Sequence, residues 1–314
     1  MTAIQELPKA ELHVHLEGTL EPEELLRMAE RNDVEVPYTC AEEVLAAYEF
    51  ANLQSFLDVF FQGCRVLRRR DDFADLAAAY LRRAASDGVT RAEVFFGPQT
   101  FLALDVPLAD QFEGIFDGFA RAHEETGIDA ALIPSAQRHR TEDDALEMLE
   151  AVMPWADRIA GFGLGSTEVG NPPSKFARYF AAARERGFRT TIHAGEEGPA
   201  SYVWEALDVC HVDRIDHGVA VANDPALVAR LAAEQVPLTM CPLSNVRLKV
   251  VPDVAAHPLR RLFDAGVLVT VNSDDPSYFG GYVGDNYRAL HEEGGFSLAE
   301  LAELARNSLT ASWA

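Results

Sequence analysis

The chain has 314 residues, and 50 acidic side chains against 27 basic ones give it a formal net charge of −23. That charge repels the phosphates of nucleic acids and the anionic surface of a membrane, so we expect neither as a partner. Hydrophobic residues make up 48% of the chain and charged residues 25%, a composition that excludes disordered, collagen-like and coiled-coil proteins.

The cysteines and the apolar runs indicate a soluble protein of a reducing compartment. None of the four cysteines forms a C-x-x-C pair, and a chain of this length needs no disulfide framework. No run approaches the ~18 apolar residues of a membrane span. The first residues, MTAIQELPKAEL, carry acids where a signal peptide has its apolar core. We therefore expect a cytoplasmic protein, and the sequence leaves homo-oligomer formation open.

Eight short segments rich in β-branched and apolar residues recur along the chain, with helical patterns between them. They cover residues 10–16, 91–97, 129–135, 159–166, 189–195, 214–218, 236–243 and 267–274. Strands that alternate with helices indicate parallel β-α units, and eight such units close a TIM-type barrel. The predicted fold is therefore α/β, a (β/α)8 TIM-type barrel, with residues 1–314 as a single domain.

Helical patterns fill the segments between the strands. Residues 71–88 place apolar side chains at i, i+3, i+4, i+7 and i+8, Pro172–Gly187 begins with proline and ends with glycine, and Asp224 precedes a third helix as its cap. The stretch from Thr19 to Gly88 is too long for one crossover. It predicts extra helices inserted after strand 1, over about residues 19–88, that lie over the C-terminal mouth of the barrel as a lid.

Four of the nine histidines fall at the ends of predicted strands, where a TIM barrel carries its active site. Two of them, His13 and His15, point to the same face because side chains alternate along a strand. Two aspartates end the last strand. The full set of strand-end residues is His13, His15, His193, His217, Asp274 and Asp275.

Three imidazoles and one carboxylate from this set suit a borderline metal such as zinc, with water completing the coordination. The residues are His13, His15, His193 and Asp274. Hydrogen-bonded core histidines are the alternative for an H-x-H pair alone, but burying three imidazoles is costly unless they are ligated. A two-metal site would need a bridging ligand at strand 4, and none of the three lysines ends that strand. The sequence therefore predicts one Zn²⁺ per chain.

Residues next to the ligand set are candidates for proton transfer and substrate binding. Glu196 follows His193 by three residues, and a partly desolvated glutamate has a raised pKa and can serve as an acid. Glu197 is the competing candidate. His217 is either a ligand or, with the ligand set already complete, free to take or orient the proton of the water. Asp275 points in a different direction from Asp274 and could face the substrate.

Five segments together resemble the adenosine/AMP deaminase family. They read KAELHVHLEG, HAGE, RIDHG, CPLSN and NSDDP, and cover Lys9–Gly18, His193–Glu196, Arg214–Gly218, Cys241–Asn245 and Asn272–Pro276. The resemblance implies a (β/α)8 barrel with one zinc held by the four residues above. It also implies that Glu196 protonates the purine N1, that His217 assists the attacking water and that Asp275 hydrogen-bonds N7.

The substrate expected from this resemblance is a free base. Nucleoside deaminases of the family typically have an aspartate where this chain has Glu17, and the longer acid would crowd the ribose and could meet N9–H or N3 of a base. Asn272–Tyr282 and His193–Gly198, with residues 202 and 204, resemble the family's adenine deaminase branch. That branch implies hydrolysis of adenine to hypoxanthine and ammonia in purine salvage. Ser166, at the end of strand 4, stands near where the family contacts N3.

Other functions stay open at this point. One is deamination of a purine nucleoside such as adenosine or aminodeoxyfutalosine. Another is a mononuclear amidohydrolase that cuts a cyclic amide. A non-enzymatic zinc-binding barrel is disfavoured because both Glu196 and His217 are present. A nucleotide substrate is disfavoured as well, because the run Arg68–Arg70 is typical of a solvated helix end.

Overall fold

A computed structural model describes residues 3–313 and contains one eight-stranded sheet. Every strand pairs in parallel with the next one along the chain, in the order β1 to β8. The strands are β1 (Lys9–His15), β2 (Val89–Phe96), β3 (Asp129–Gln137), β4 (Gly161–Gly165), β5 (Arg189–Ala194), β6 (Arg214–His217), β7 (Leu238–Met240) and β8 (Val269–Val271).

The chain just after β8 returns to β1 and closes the barrel. The N–H of His15 donates to the carbonyl of Asp274 at 2.8 Å, and the N–H of Asp274 donates to the carbonyl of His13 at 3.0 Å. These bonds form a parallel bridge between Val14 and Asp274. The predicted (β/α)8 barrel is confirmed, and each of the eight predicted segments overlaps one strand.

Helices follow the strands and cover the outside of the sheet. Within the described residues they are α1 (Pro22–Arg31), α2 (Ala41–Ala46), α3 (Leu53–Cys64), α4 (Arg70–Ser86), α5 (Pro98–Leu102), α6 (Leu108–Thr126), α7 (Glu142–Ala151), α8 (Ala177–Glu185), α9 (Ala200–Glu205), α10 (Pro225–Glu234), α11 (Pro242–Arg247), α12 (Leu259–Asp264), α13 (Pro276–Phe279), α14 (Val283–Glu292) and α15 (Leu298–Ala311).

Local sequence signals explain several helix boundaries. Asp224 caps α10 as predicted, because its carboxylate accepts the N–H groups of Ala226 and Leu227 at 3.0 and 3.2 Å. The helix predicted at Pro172–Gly187 begins instead with a 3₁₀ turn at Pro173–Phe176, and α8 follows it. Proline has no backbone N–H to donate at such a start, so the tighter turn loses no hydrogen bond there.

The stretch predicted as a helical insertion, residues 19–88, divides into two parts. Its last helix, α4, packs against α6 and β2 and so belongs to the wall of the barrel. The approach is close, since a Cβ atom at Gly118 of α6 would lie 2.5 Å from the carbonyl oxygen of Ala74. The third helix, α3, lines a cavity at the C-terminal ends of the strands through Leu53, Phe56 and other apolar residues.

The chain has neither a disulfide nor a membrane-length helix within residues 3–313. All four cysteines are unpaired, and three of them are buried. No helix in this range combines the length and the apolar composition that crossing a bilayer requires.

Candidate active site

The cavity under α3 brings the predicted site residues together. Eight of the nine lie on its wall, and the ninth, His13, is fully buried. The eight are His15, Glu17, Ser166, His193, Glu196, His217, Asp274 and Asp275. They lie at or just after the C-terminal ends of β1, β4, β5, β6 and β8, so residues far apart in the sequence meet at one end of the barrel.

Four side-chain atoms form a closed ring of short contacts. The Nε2 atom of His193 lies 3.1 Å from Nε2 of His13 and 3.1 Å from Nε2 of His15. The Oδ1 atom of Asp274 lies 3.3 Å from each of the same two nitrogens. The three imidazoles and the carboxylate therefore direct one donor atom each toward a shared point.

These distances fit the ligands of a single metal ion. Neighbouring donors at about 2.0–2.2 Å from an ion, separated by angles of about 90–110°, lie about 2.9–3.5 Å apart. A cation at the centre would compensate the imidazole lone pairs that otherwise face one another in a buried site. His217 also lies near enough to His13, His193 and Asp274 to join a metal site, but its Nε2 is 3.8 Å from Oδ2 of Asp274, outside the ring of short contacts.

Surrounding groups orient the candidate ligands. Nδ1 of His13 lies 3.0 Å from the hydroxyl of Thr239 and 3.2 Å from its carbonyl, which leaves Nε2 for the ion. The hydroxyl of Ser244 donates to Oδ2 of Asp274 at 2.7 Å, which leaves Oδ1. Burial lowers the pKa of His193 well below its usual value, so its imidazole is neutral, as a ligand must be. Sequence reasoning assigned no role to Thr239 or Ser244.

The two competing glutamates face in different directions. Oε2 of Glu196 lies 3.5 Å from Nε2 of His217, and Oε1 of Glu196 has no hydrogen-bond partner among the described residues. Burial raises the pKa of Glu196 well above the usual range of a carboxyl group, which favours its protonated form. Glu197 instead accepts the backbone N–H of Leu53, at the start of α3, at 3.2 Å. Glu196 is therefore the glutamate that faces the site.

Glu168 holds the loop that carries Glu196. Its buried carboxylate accepts four successive backbone N–H groups, those of residues 195 to 198, at 2.7–3.0 Å. A Cβ atom at Gly198 would lie 2.6 Å from Oε1 of Glu168, so only glycine permits this approach. The only sequence signal was an acid just past the end of a strand.

Two further carboxyl groups reach the cavity with unused oxygen atoms. Asp275 is 3% exposed and its Oδ1 has no partner within the described part of the chain. A Cβ atom at Gly18 would come within 2.0 Å of that oxygen, which explains the glycine after Glu17. One oxygen of Glu17 accepts the N–H of Gly97 at 2.8 Å, while Oε2 has no partner. Burial raises the pKa of both carboxyl groups.

Ser166 also reaches the cavity, but its hydroxyl already has a partner. Its Oγ lies 2.8 Å from Nδ1 of His139, a residue to which sequence reasoning gave no role. Ser135 is a better candidate for a free hydroxyl, because it lines the cavity, is 6% exposed and has no partner among residues 3–313. No motif distinguishes this serine from the others in the sequence.

Three strand-end residues adopt a backbone conformation that ordinary side chains rarely take. The φ angles are +78° at Ser166, +65° at His217 and +66° at Asp274. Such conformations cost about 1–3 kcal/mol each and are concentrated at functional sites. Here they turn the chain sharply out of the barrel just where the candidate functional side chains are needed.

Comparison with known proteins gives the family. The family profile described as "Adenosine deaminase" matches residues 8–314. The chain belongs to the adenosine deaminase family. Proteins named adenine deaminase from Rhodopseudomonas palustris and Cupriavidus necator are 52% and 53% identical to it over 310 residues. The alignments cover 99% of this chain in both cases, and 90% and 88% of the two relatives.

Solved structures of relatives agree with this membership of the adenosine deaminase family. An adenine deaminase from Arthrobacter aurescens has a TM-score of 0.96 and 50% identity, over 98% of this chain and 94% of that one. An amidohydrolase from Burkhoderia ambifaria with bound Zn has a TM-score of 0.92 and 31% identity, over 99% and 87%. The resemblance noted from the sequence is confirmed, and with it a metal-dependent deaminase fold that carries a histidine and aspartate cluster.

Proposed function

We propose that this chain hydrolyses adenine to hypoxanthine and ammonia. One observation carries the proposal: three buried carboxyl oxygens without partners among the described residues face one cavity, beside four side chains arranged as metal ligands. The oxygens are Oε2 of Glu17, Oε1 of Glu196 and Oδ1 of Asp275. Purine rings present both N–H groups and bare nitrogens, and carboxyl groups with raised pKa values can accept from the first and donate to the second.

The ligand set we propose for the metal is His13, His15, His193 and Asp274, with one zinc ion per chain. Three imidazoles with one carboxylate suit zinc, and the bound Zn of the Burkhoderia ambifaria amidohydrolase supports the choice. The ion, when bound, would supply the Lewis acidity that makes water nucleophilic near neutral pH.

Glu196 is the proposed proton donor to the substrate. In its protonated form it can pass a proton to the ring nitrogen N1 while the oxygen of water bonds to C6. One proton of that water then passes to the amino group, the C6–N bond breaks to release ammonia, and the second proton returns to Glu196 as the C6 carbonyl forms. His217, whose Nε2 lies 3.5 Å from Oε2 of Glu196, would hold that water. Because both side chains are buried, bulk water does not compete for their hydrogen bonds.

Three residues are proposed to orient the base. Asp275 would hydrogen-bond N7, and Ser166 would contact N3 at the opposite edge. Glu17 would reach the N9 side, where its length leaves no room for a ribose. Apolar side chains of α3, among them Leu57 and Phe60, would pack against the flat ring. A neutral planar base fits such a wall, whereas a phosphate would find no lysine or arginine among the residues that line the cavity.

The deciding experiment is ammonia release from adenine and adenosine, measured side by side with the zinc-loaded enzyme. We expect adenine to react and adenosine not to react. In Glu17→Asp, the shorter acid should open space beyond N9 and raise kcat/KM for adenosine. No gain in adenosine turnover would contradict the role proposed for Glu17, and turnover of adenosine by the unmodified enzyme would contradict the free-base proposal.

The alternative substrates make different predictions in the same assay. A purine nucleoside deaminase would release ammonia from adenosine or aminodeoxyfutalosine in preference to adenine. A mononuclear amidohydrolase of cyclic amides would show no preference for purines and no dependence on Asp275. The four unpaired cysteines fit a reducing compartment, so we propose a cytoplasmic enzyme whose residues 1–314 act as one barrel unit.

A further inference from the structure

His217 presents its two ring nitrogens to different neighbours. Nε2 faces the site, 3.5 Å from Oε2 of Glu196 and 3.8 Å from Oδ2 of Asp274. Nδ1 faces away from it, 3.3 Å from the side-chain nitrogen of Asn245. A neutral imidazole carries one proton, and its position decides whether Nε2 donates or accepts a hydrogen bond.

A hydrogen-bond chain behind His217 begins at the start of a helix. The N–H of Leu259, the first residue of α12, has no carbonyl partner inside that helix. It donates to Nδ1 of His257 at 3.1 Å. Nδ1 of His257 must therefore be bare, and the proton of this neutral ring is on Nε2. His257 is only 4% exposed, and burial lowers its pKa to about 4.

The proton on His257 determines which way round the amide of Asn245 lies. Nε2 of His257 is 3.0 Å from Oδ1 of Asn245 and donates to it. The reversed amide would set its NH₂ group against the N–H of His257, so that two donors would face each other. The backbone of Asn245 is also fixed, because its N–H donates to the carbonyl of Cys241 at 3.0 Å and its carbonyl accepts the N–H of Val250 at 2.9 Å.

With the amide fixed, the NH₂ group of Asn245 donates to Nδ1 of His217. That nitrogen is then bare, and the proton of His217 lies on Nε2, which faces carboxyl oxygens that can accept it. We propose that His257 and Asn245 are positioning residues that fix the tautomer of His217, through a hydrogen-bond chain that starts at the N–H of Leu259. The role of His217 in catalysis rests on the proposed function, whereas the position of its proton rests on the hydrogen bonds alone.

The tautomer of His217 decides whether this residue takes or orients the proton of the water, which the sequence left open. An N–H at Nε2 holds a water molecule by the lone pair of its oxygen, whereas a bare Nε2 would accept the proton of the water. The chain Leu259–His257–Asn245 therefore makes His217 a group that orients the water in the resting enzyme.

The tautomer can be measured without any assay of turnover. Protein labelled with ¹⁵N at histidine and loaded with zinc gives long-range ¹H–¹⁵N correlations that distinguish a protonated from a bare ring nitrogen. We assign the signals of His217 by their loss in His217→Gln. His291 provides an internal control of opposite tautomer, because its Nδ1 lies 2.7 Å from the carbonyl of Phe296 and must carry the proton. A protonated Nδ1 in His217 of the unmodified protein would overturn the proposal.

Asn245→Asp tests the direction of the hydrogen bonds between His257, residue 245 and His217, because aspartate has almost the same side-chain shape as asparagine. A carboxylate at this position accepts from both neighbours, so Nδ1 of His217 should become protonated. We expect kcat for adenine to fall about 10²–10⁴-fold, with a much smaller change in KM, because a misplaced proton affects the chemical step. Retention of a bare Nδ1 in this variant would also overturn the proposal.

A second pair of variants separates positioning from packing. In His257→Gln the side-chain N–H can still donate to Oδ1 of Asn245, so the Nε2–H tautomer of His217 should persist. In His257→Leu that donor is lost, and both nitrogens of His217 should give signals of mixed protonation, with a lower kcat than in the glutamine variant. Equal tautomer spectra in the two variants would exclude His257 from the chain.

The result is independent of the substrate assignment. An Nε2–H tautomer in a protein that does not deaminate adenine would contradict the proposed function and leave the hydrogen-bond chain intact. Metal content and circular dichroism of each variant confirm that the metal ligands and the fold are retained. If a variant at one of the two positions, 245 or 257, fails to fold, the variants at the other position are used. The histidine spectrum of the unmodified protein decides the tautomer of His217 in either case.

Discussion

At the scale of single residues, Glu196 and Glu197 are adjacent in the sequence and have different surroundings. Glu196 is 5% exposed and faces His217, whereas Glu197 contacts the start of α3. We expect Glu196→Gln to abolish turnover, because the amide has no proton of suitable acidity for N1, while zinc remains bound. Turnover of adenine and metal content are the two measurements.

Glu197→Gln is the matched control for that prediction. It makes the same chemical change one residue away, and its side-chain amide oxygen can still accept the N–H of Leu53. We expect it to keep kcat within about threefold, since removal of a catalytic acid typically costs about 10²–10⁴-fold and this carboxyl faces away from the site. Full activity in Glu196→Gln would remove Glu196 as the acid.

The kinds of residue in the site could be predicted from the sequence, but their supports could not. His13, His15 and His193 were found because imidazoles at strand ends are costly without a ligand. Glu168 and His257 act through contacts with residues 27 to 30 and 12 positions away, respectively. Those contacts depend on how the loops fold back, which no periodicity in the sequence encodes.

At the scale of secondary-structure elements, one carboxylate, that of Glu168, accepts four N–H groups of the loop after β5. We expect Glu168→Gln, in which one oxygen becomes an NH₂ donor facing backbone N–H groups, to displace this loop. Loss of a buried acceptor costs about 1–3 kcal/mol of unfolding free energy. We expect kcat to fall at least about tenfold, because a misplaced acid loses much of the 10²–10⁴-fold that acid catalysis contributes. Thermal unfolding and adenine kinetics measure the two effects.

The control is Glu147→Gln, which changes an exposed glutamate of α7 in the same chemical way. Surface changes of this kind shift stability by less than about 0.5 kcal/mol. If Glu168→Gln behaved like this control in both measurements, the loop would not depend on Glu168.

Strand positions could be predicted because apolar and β-branched runs mark them. Two of the observed strands are, however, much shorter than the predicted segments. The segments predicted at 236–243 and 267–274 contain strands of only three residues, Leu238–Met240 and Val269–Val271. The chain leaves β7 where Cys241 begins the turn into α11, and after β8 it rejoins the sheet at the bridge between Asp274 and Val14. Apolar residues continue through such turns, so the sequence does not mark the residue at which the strand ends.

At the scale of the whole molecule, the proposed metal should contribute to stability. The four ligand atoms come from β1, β5 and the end of β8, so an ion would join opposite sides of the barrel. A ligand at 100 times its dissociation constant stabilises a protein by about 2.7 kcal/mol. We expect removal of zinc by a chelator to lower Tm by several degrees, as measured by calorimetry, and readdition of zinc to restore it.

His13→Ala should lower the metal content, and its Tm should then respond little to the chelator. The variant separates loss of the ion from a direct effect of the chelator on the protein. A Tm that falls equally in both proteins on chelation would contradict the stabilising role of the metal, and unchanged zinc occupancy in His13→Ala would contradict the ligand assignment.

The loop of residues 195–198 is attached on two sides, to Glu168 on the barrel and, through Glu197, to the first N–H of α3. Any movement that lifts the start of α3 to admit a base must break the second attachment. The segment that carries Glu196 then keeps its bonds to Glu168 and the bond from the N–H of Ala220 to the carbonyl of Gly195, at 2.8 Å. A change in the position of α3 and a change in the position of Glu196 are therefore linked through Glu197.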